Sequence, residues 1–186
     1  LTDDFFLDDR RRTVNGGSHT GPDAEILELK AAADVGFTDV DWIEICSRGS
    51  NLALMRVTWS GLDQGSGAFD AEWLGVAQWT ADEQLAGVVM LNVDDFDAAI
   101  AELDARYLAG EAAPFAPTFS AVVQAFSALN AREVPPTTAN FVDIDHRNVG
   151  VIGSGDLKAY IAVALQDIQN YLCYVKAVHR LSEHGS

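Results

Sequence analysis

TDVDWIEICSRGSNLALMRVTW, residues 38–59, holds two runs rich in β-branched, aromatic and aliphatic side chains around Arg48-Gly49-Ser50. Two such runs joined by a tight glycine turn predict a β-hairpin. In residues 38–48 alternation puts Val40 and Trp42 on one strand face and Ile43 and Ile45 on the other, so this strand is expected to be covered at least partly on both sides. Toward the C-terminus, a glycine-rich loop at 61–67 (GLDQGSG) leads to a strand at 69–80 (FDAEWLGVAQWT). Residues 81–84 then turn the chain into a strand at 85–93. Together these predict a four-stranded antiparallel meander, curved where glycines mark bulges.

Working the other way, Pro22 and Gly36 bracket a helix expected at 23–34, with Ile26, Leu27 and the alanine run as its buried face. Before it, residues 4–14 (DFFLDDRRRTV) read as a strand and Asn15-Gly16-Gly17 as a turn. Past the meander, Phe96, Ile100, Leu103 and Tyr107 make one apolar stripe and predict a helix from Asp95 to about Leu108. Residues 109–117 (AGEAAPFAP) read as a linker, and Thr118 as the cap of a helix at 119–132 that Pro135-Pro136 stops. A strand at 140–149, a Gly-Ser turn, a helix at 156–172 and a strand at 173–182 complete the expectation.

Sliding the chain against itself by 136 residues aligns Thr2 with Thr138, Phe5 with Phe141, Asp9 with Asp145, Arg11 with Arg147 and Gly17 with Gly153, without a gap. Residues 1–50 and 137–186 therefore read as two copies of one pattern, the second incomplete. The termini read as those of a fragment.

Composition bounds the function. Of 186 residues, 48% are hydrophobic and 22% charged, as in ordinary globular proteins. A net charge of −16 repels phosphate backbones and anionic surfaces, so neither a nucleic-acid nor a membrane partner is expected. No apolar run reaches the roughly 20 residues of a bilayer span, and the N-terminus lacks a signal-peptide pattern. A cytoplasmic protein is expected. Cys46 and Cys173 have no metal spacing and sit in apolar surroundings, which suggests small buried hydrophobes in a reducing compartment. The basic run Arg10–Arg12 lies beside Asp8 and Asp9 and reads as local ion pairing rather than an anion site.

The order strand, helix, then a long curved antiparallel sheet resembles the SnoaL-like branch of the nuclear transport factor 2-like superfamily. The residues that carry the resemblance are DDFFLDDRRRTVNGG, DAEILELKAAADVG, NLALMRVTW and DDFDAAIAELDARYLAGEAAP, with NFVDIDHRNVG and GDLKAYIAVAL in the second copy. The whole is similar to the tandem SnoaL-like region of actinobacterial signalling proteins. The resemblance implies an α+β cone, a bent sheet on helices around an apolar pocket. Residues 1–108 would be one domain lacking its first helix, 109–117 a linker, and 118–186 the opening half of a second copy. It also implies either a non-catalytic ligand-binding or assembly module of a larger regulator, or an isomerase, cyclase or hydrolase with an aspartate base.

Asp9 with Arg11, and Asp145 with Arg147, are two apart on strands and pair a carboxylate with a guanidinium on one face, as a pocket anchor or as a solvent-facing ion pair. In an enzyme Asp9, Asp145 and His146 would supply the base, although an arginine neighbour lowers an aspartate's pKa and weakens it in that role. Trp42, Trp59, Trp73 and Trp79 all fall on expected strands, where they either line an apolar pocket or pack the core. His19 and His184 sit at turn-like positions, and His179 reads as structural. No metal-ligand spacing is present, the glycine loop lacks the lysine and helix of a phosphate loop, and no cofactor is expected. An apolar small molecule is the expected ligand. The unpaired strand edges of an incomplete copy predict a homo-oligomer.

Overall fold

The computed structural model describes residues 1–14, 16–63, 67–139, 141, 157–167, 172–178 and 181–183. They fall into two units, Leu1–Pro114 with Lys176–Arg180, and Phe115–Val175 with Leu181–Ser186.

The first unit is α+β. Its strands are β1 (Phe6–Asp9), β2 (Gly17–Thr20), β3 (Phe37–Arg48), β4 (Leu52–Asp63), β5 (Gly67–Trp79) and β6 (Leu85–Leu91). Its helices are α1 (Pro22–Asp34) and α2 (Phe96–Ala109). One curved sheet runs in the order β2-β1-β6-β5-β4-β3, antiparallel except where β1 lies parallel to β6. The meander β3 to β6 is the one expected. β4 continues through Asp63 and β5 begins at Gly67, so strand occupies most of the expected glycine loop. Gly61 makes this possible, because a Cβ there would collide with the Gly36 carbonyl and the Phe69 ring.

Alternation gives the sheet two faces. One carries Leu54 of β4, Leu74 and Val76 of β5, and Val89 of β6, all almost fully buried. α2 covers this face with Ala99, Leu103 and Tyr107. A register shift between Glu44 and Cys46 turns the end of β3 toward the same side. Arg48 Nε there donates to Asp104 Oδ1 at 2.7 Å, with the two side chains 1% and 10% exposed. Burial pushes the Asp104 carboxyl up, and the Arg48 charge opposes that shift. The other face carries Val40 and Trp42 of β3, Met55, Val57 and Trp59 of β4, Trp73 and Gly75 of β5, and Met90 of β6. Trp42 lies opposite Val57, Val57 opposite Trp73, and Gly75 opposite Met90.

Several expectations are corrected. Residues 4–14 are not one strand. Asp9 Oδ1 accepts the Arg11 N–H at 3.0 Å, which turns the chain out of the sheet, and Gly17-Ser18 return in β2 rather than in a turn. α1 forms as expected, with Pro22 in its first turn, yet buries no residue; Ile26 and Leu27 are 42% and 66% exposed. It packs chiefly against the outlying strands β2 and β3, so its apolar residues enter no core. β3 is likewise exposed from Asp39 to Glu44, not covered on both sides; it is buried only toward its end, at Cys46 and Arg48.

In the second unit, α3 (Ala116–Asn130) starts earlier than expected, with Pro117 in its first turn. Thr118 therefore lies inside the helix and donates its hydroxyl to the Glu183 carbonyl at 3.3 Å instead of capping. α4 (Leu157–Asp167) lies within the helix read at 156–172. No regular strand forms over 172–178, where the Asn130 amide takes both the N–H and the carbonyl of Cys173 at 2.8 Å each. The strand expected at 140–149 lies outside the described residues apart from Phe141. No single helix among the described residues is long and apolar enough to cross a membrane.

Candidate functional site

On the sheet face opposite α2, within the first unit, lies a cavity of about 650 Å³. Its floor is Met55, Val57, Gly75 and Met90, presented by three neighbouring strands. Gly75 keeps the floor low, since a Cβ there would meet only Val57 and Val88 side-chain carbons, at 3.7 and 3.9 Å. Aromatic rings form the wall. Trp59 stands edge-on to Trp73 with centroids 5.2 Å apart, and Phe37 stands edge-on to Trp59 at 5.4 Å. Trp42 and Trp79 complete the lining, so all four tryptophans reach one cavity. Trp73 is 5% exposed and anchors the apolar cluster of Phe5, Leu7, Val57 and Met90, whereas Trp42 is 60% exposed at the rim.

Asp9 and Arg11 form a tight pair. Arg11 Nε and Nη2 donate to the two Asp9 oxygens at 2.9 and 2.8 Å, and the guanidinium stacks 5.0 Å from the Trp73 centroid. Arg11 lines the cavity; Asp9 sits behind it, 6% exposed. Burial alone raises the Asp9 pKa, but hydrogen bonds from Arg11, its charge and the Gly16 N–H outweigh burial and lower it. A carboxylate held this way makes a weak base. Arg10 bonds Asp8 and Glu102, and Arg12 bonds Asp94 and Asp95, so the basic run is ion-paired throughout. Asp145, His146 and Arg147 lie outside the described residues, as do His179 and His184.

The residues that sequence reasoning missed are Glu25 and Glu28. With Ala32 they lie at helical spacing on α1 and all three line the cavity, Glu25 largely covered at 16% exposure and Glu28 at its open edge at 55%. His19 is not a turn residue but lies on β2, with Nε2 3.4 Å from Glu25 Oε2 and Nδ1 3.4 Å from Glu28 Oε1. Gly21, at φ +90°, makes the bend that sets α1 over β2. Each of the three side chains offers one ligand atom, all within 4.8 Å of one another, a grouping that sequence spacing did not reveal. Burial raises the Glu25 pKa, the Glu28 charge adds to that, and His19 opposes it. The only legible trace was a helix with Glu-Ile-Leu-Glu where an inward apolar stripe would be expected.

No protein-family model matches the sequence, and no curated protein is significantly similar to it. Among solved structures, a nuclear transport factor 2-like protein of unknown function from an Exiguobacterium species is 15% identical. That match covers 48% of this chain and 74% of that one, at a TM-score of 0.37. A ketosteroid isomerase-like protein from Erwinia carotovora is 17% identical over 50% of this chain and 75% of its own, at 0.35. A protein with a ketosteroid isomerase-like fold from Catenulispora acidiphila, solved with trimethylamine, is 16% identical over 55% and 75%, at 0.36. At these values the likenesses are faint.

Proposed function

We propose that the first unit is a non-catalytic module that takes an apolar small molecule into this cavity, as part of a larger regulatory protein. The observation that carries the proposal is the convergence of Trp42, Trp59, Trp73 and Trp79 around about 650 Å³ of open volume, a size and lining suited to a small organic ligand. The test is a titration with the neutral dye Nile red, read by its fluorescence. Wild type is expected to bind it with a blue shift, and Gly75→Leu, which fills the floor, to abolish binding while keeping the unfolding midpoint. Equal binding by both proteins would sink the proposal.

A specific observation also supports the enzymatic reading. Glu25 lines an apolar cavity, and burial together with the Glu28 charge raises its pKa, the environment a general base requires. An isomerase, cyclase or hydrolase would then use Glu25 rather than Asp9. Self-association remains part of the proposal, now through β3. It is an edge strand with Val40, Trp42 and Ile43 each more than half exposed. A monomer by light scattering at high concentration would remove it.

A further inference from the structure

We propose that the ligand of this cavity carries a positive charge, as an apolar amine or quaternary ammonium. The inference rests on the cavity-binding reading above and adds the ligand's chemical class.

Among the described residues, the charged groups lining the cavity are Arg11, Glu25 and Glu28. Arg11 brings no free positive charge, because both Asp9 oxygens neutralise its guanidinium at 2.8 and 2.9 Å. Glu25 and Glu28 have one imidazole between them, His19, 3.4 Å from each. Even a protonated His19 supplies one positive charge against two carboxylates, so the cavity keeps a net negative charge. Glu25 is only 16% exposed, and water compensates its charge poorly. A neutral occupant would displace more water from that carboxylate and leave it worse off. An anionic occupant would add repulsion.

A cation reverses both effects. Its head would pair with Glu25 and Glu28 on the α1 side, and the electron-rich faces of Trp42 and Trp59 would receive its alkyl shell. Arg11 already stacks on Trp73, which shows the same wall accepting a cation from within the chain. The net charge of −16 draws cations toward the protein at long range. The alternative cation is a divalent metal ion, since His19, Glu25 and Glu28 offer three ligand atoms. The apolar bulk of the cavity argues for an organic ammonium, because a metal ion would leave most of that wall uncovered.

Three compounds of one shape separate the possibilities: 1-adamantylammonium, 1-adamantanol and adamantane-1-carboxylate, titrated at about pH 8, where ordinary carboxylates are ionised. Tryptophan fluorescence and calorimetry are the readouts. The ammonium is expected to bind about tenfold more tightly than the alcohol, and the carboxylate most weakly. In the variant carrying Glu25→Gln and Glu28→Gln, the ammonium should lose its advantage and bind no more tightly than the alcohol, whose own binding should persist or strengthen modestly because the buried carboxylate no longer opposes it. Persisting alcohol binding also reports an intact cavity. An alcohol that binds as tightly as the ammonium in wild type overturns the charge inference and leaves the cavity reading standing. So does an ammonium preference that survives the double substitution. If none of the three binds, the cavity reading falls and the inference falls with it. Manganese chloride alone, if it binds and blocks the ammonium, assigns the carboxylates to a metal ion and overturns the proposal.

Discussion

One sheet shows two different faces. On the α2 side, Leu54, Leu74, Val76 and Val89 are 0–1% exposed and the interface is closed. On the α1 side, the strands are just as apolar and contribute more aromatic surface, yet they enclose an open cavity. The difference lies in the helices. α2 buries Ala99, Leu103 and Tyr107, while α1 buries no residue: Glu25, 16% exposed, Glu28, 55% exposed, Ala31 and Ala32 line the cavity, and Ile26, Leu27 and Leu29 stay in solvent. Charge follows the same division. The buried carboxylate of α2, Asp104, has a buried arginine beside it, whereas Glu25 and Glu28 share a histidine. A sheet makes a core or a pocket according to what its covering helix presents.

The largest expected effect breaks the closed face. Arg48→Met leaves Asp104 buried without its partner and should cost about 3–5 kcal/mol in urea unfolding, while adding Asp104→Leu should recover much of it. A loss below about 1 kcal/mol would mean that water reaches Asp104 and the face is not sealed. The next change makes the open face resemble the closed one. Glu25→Leu turns an apolar side chain into the cavity and should stabilise the protein by about 1–2 kcal/mol while reducing Nile red uptake. Destabilisation would show that the carboxylate supports the fold rather than the site.

The smallest effect concerns pH, and its sign differs between Asp9 and Glu25. The folded pKa of Asp9 lies below its unfolded value, so its ion pair stabilises above the unfolded pKa, and that contribution is lost as pH falls through the folded one. Arg11→Met should therefore lower stability at neutral pH and shrink the decline on acidification. The folded pKa of Glu25 is raised, so its contribution is present below the unfolded pKa and lost as pH rises through the folded one. Glu25→Gln should remove that decline just above the ordinary carboxylate range. Unfolding midpoints measured from acid to neutral pH distinguish the two, and matching profiles for both variants would contradict the assignment.

Local patterns reached the fold but not the pocket. Alternating β-branched and aromatic residues fixed the four meander strands, and the stripe Phe96, Ile100, Leu103 and Tyr107 fixed α2, because neighbours in sequence set those periodicities. Cys46, read as a small buried hydrophobe, is fully buried, and burial pushes its thiol up to about 11. The arginine run was correctly read as ion-paired. Three of its partners, Asp94, Asp95 and Glu102, lie 82 to 92 residues away and could not be named. Residues 4–14 were misread because the Asp9 side chain competes with the sheet for a backbone N–H.

What the sequence determined by itself was an acidic α+β chain with a meander, its helices and tryptophans placed on strands. Only the tertiary structure decided that those four tryptophans share one cavity, since that depends on strand register and on which side α1 lies. It also decided that His19, Glu25 and Glu28 meet, through a glycine at φ +90° that joins an edge strand to a helix. Periodicity is carried by near neighbours, but a site is an encounter between elements, and its geometry exists only once they have packed.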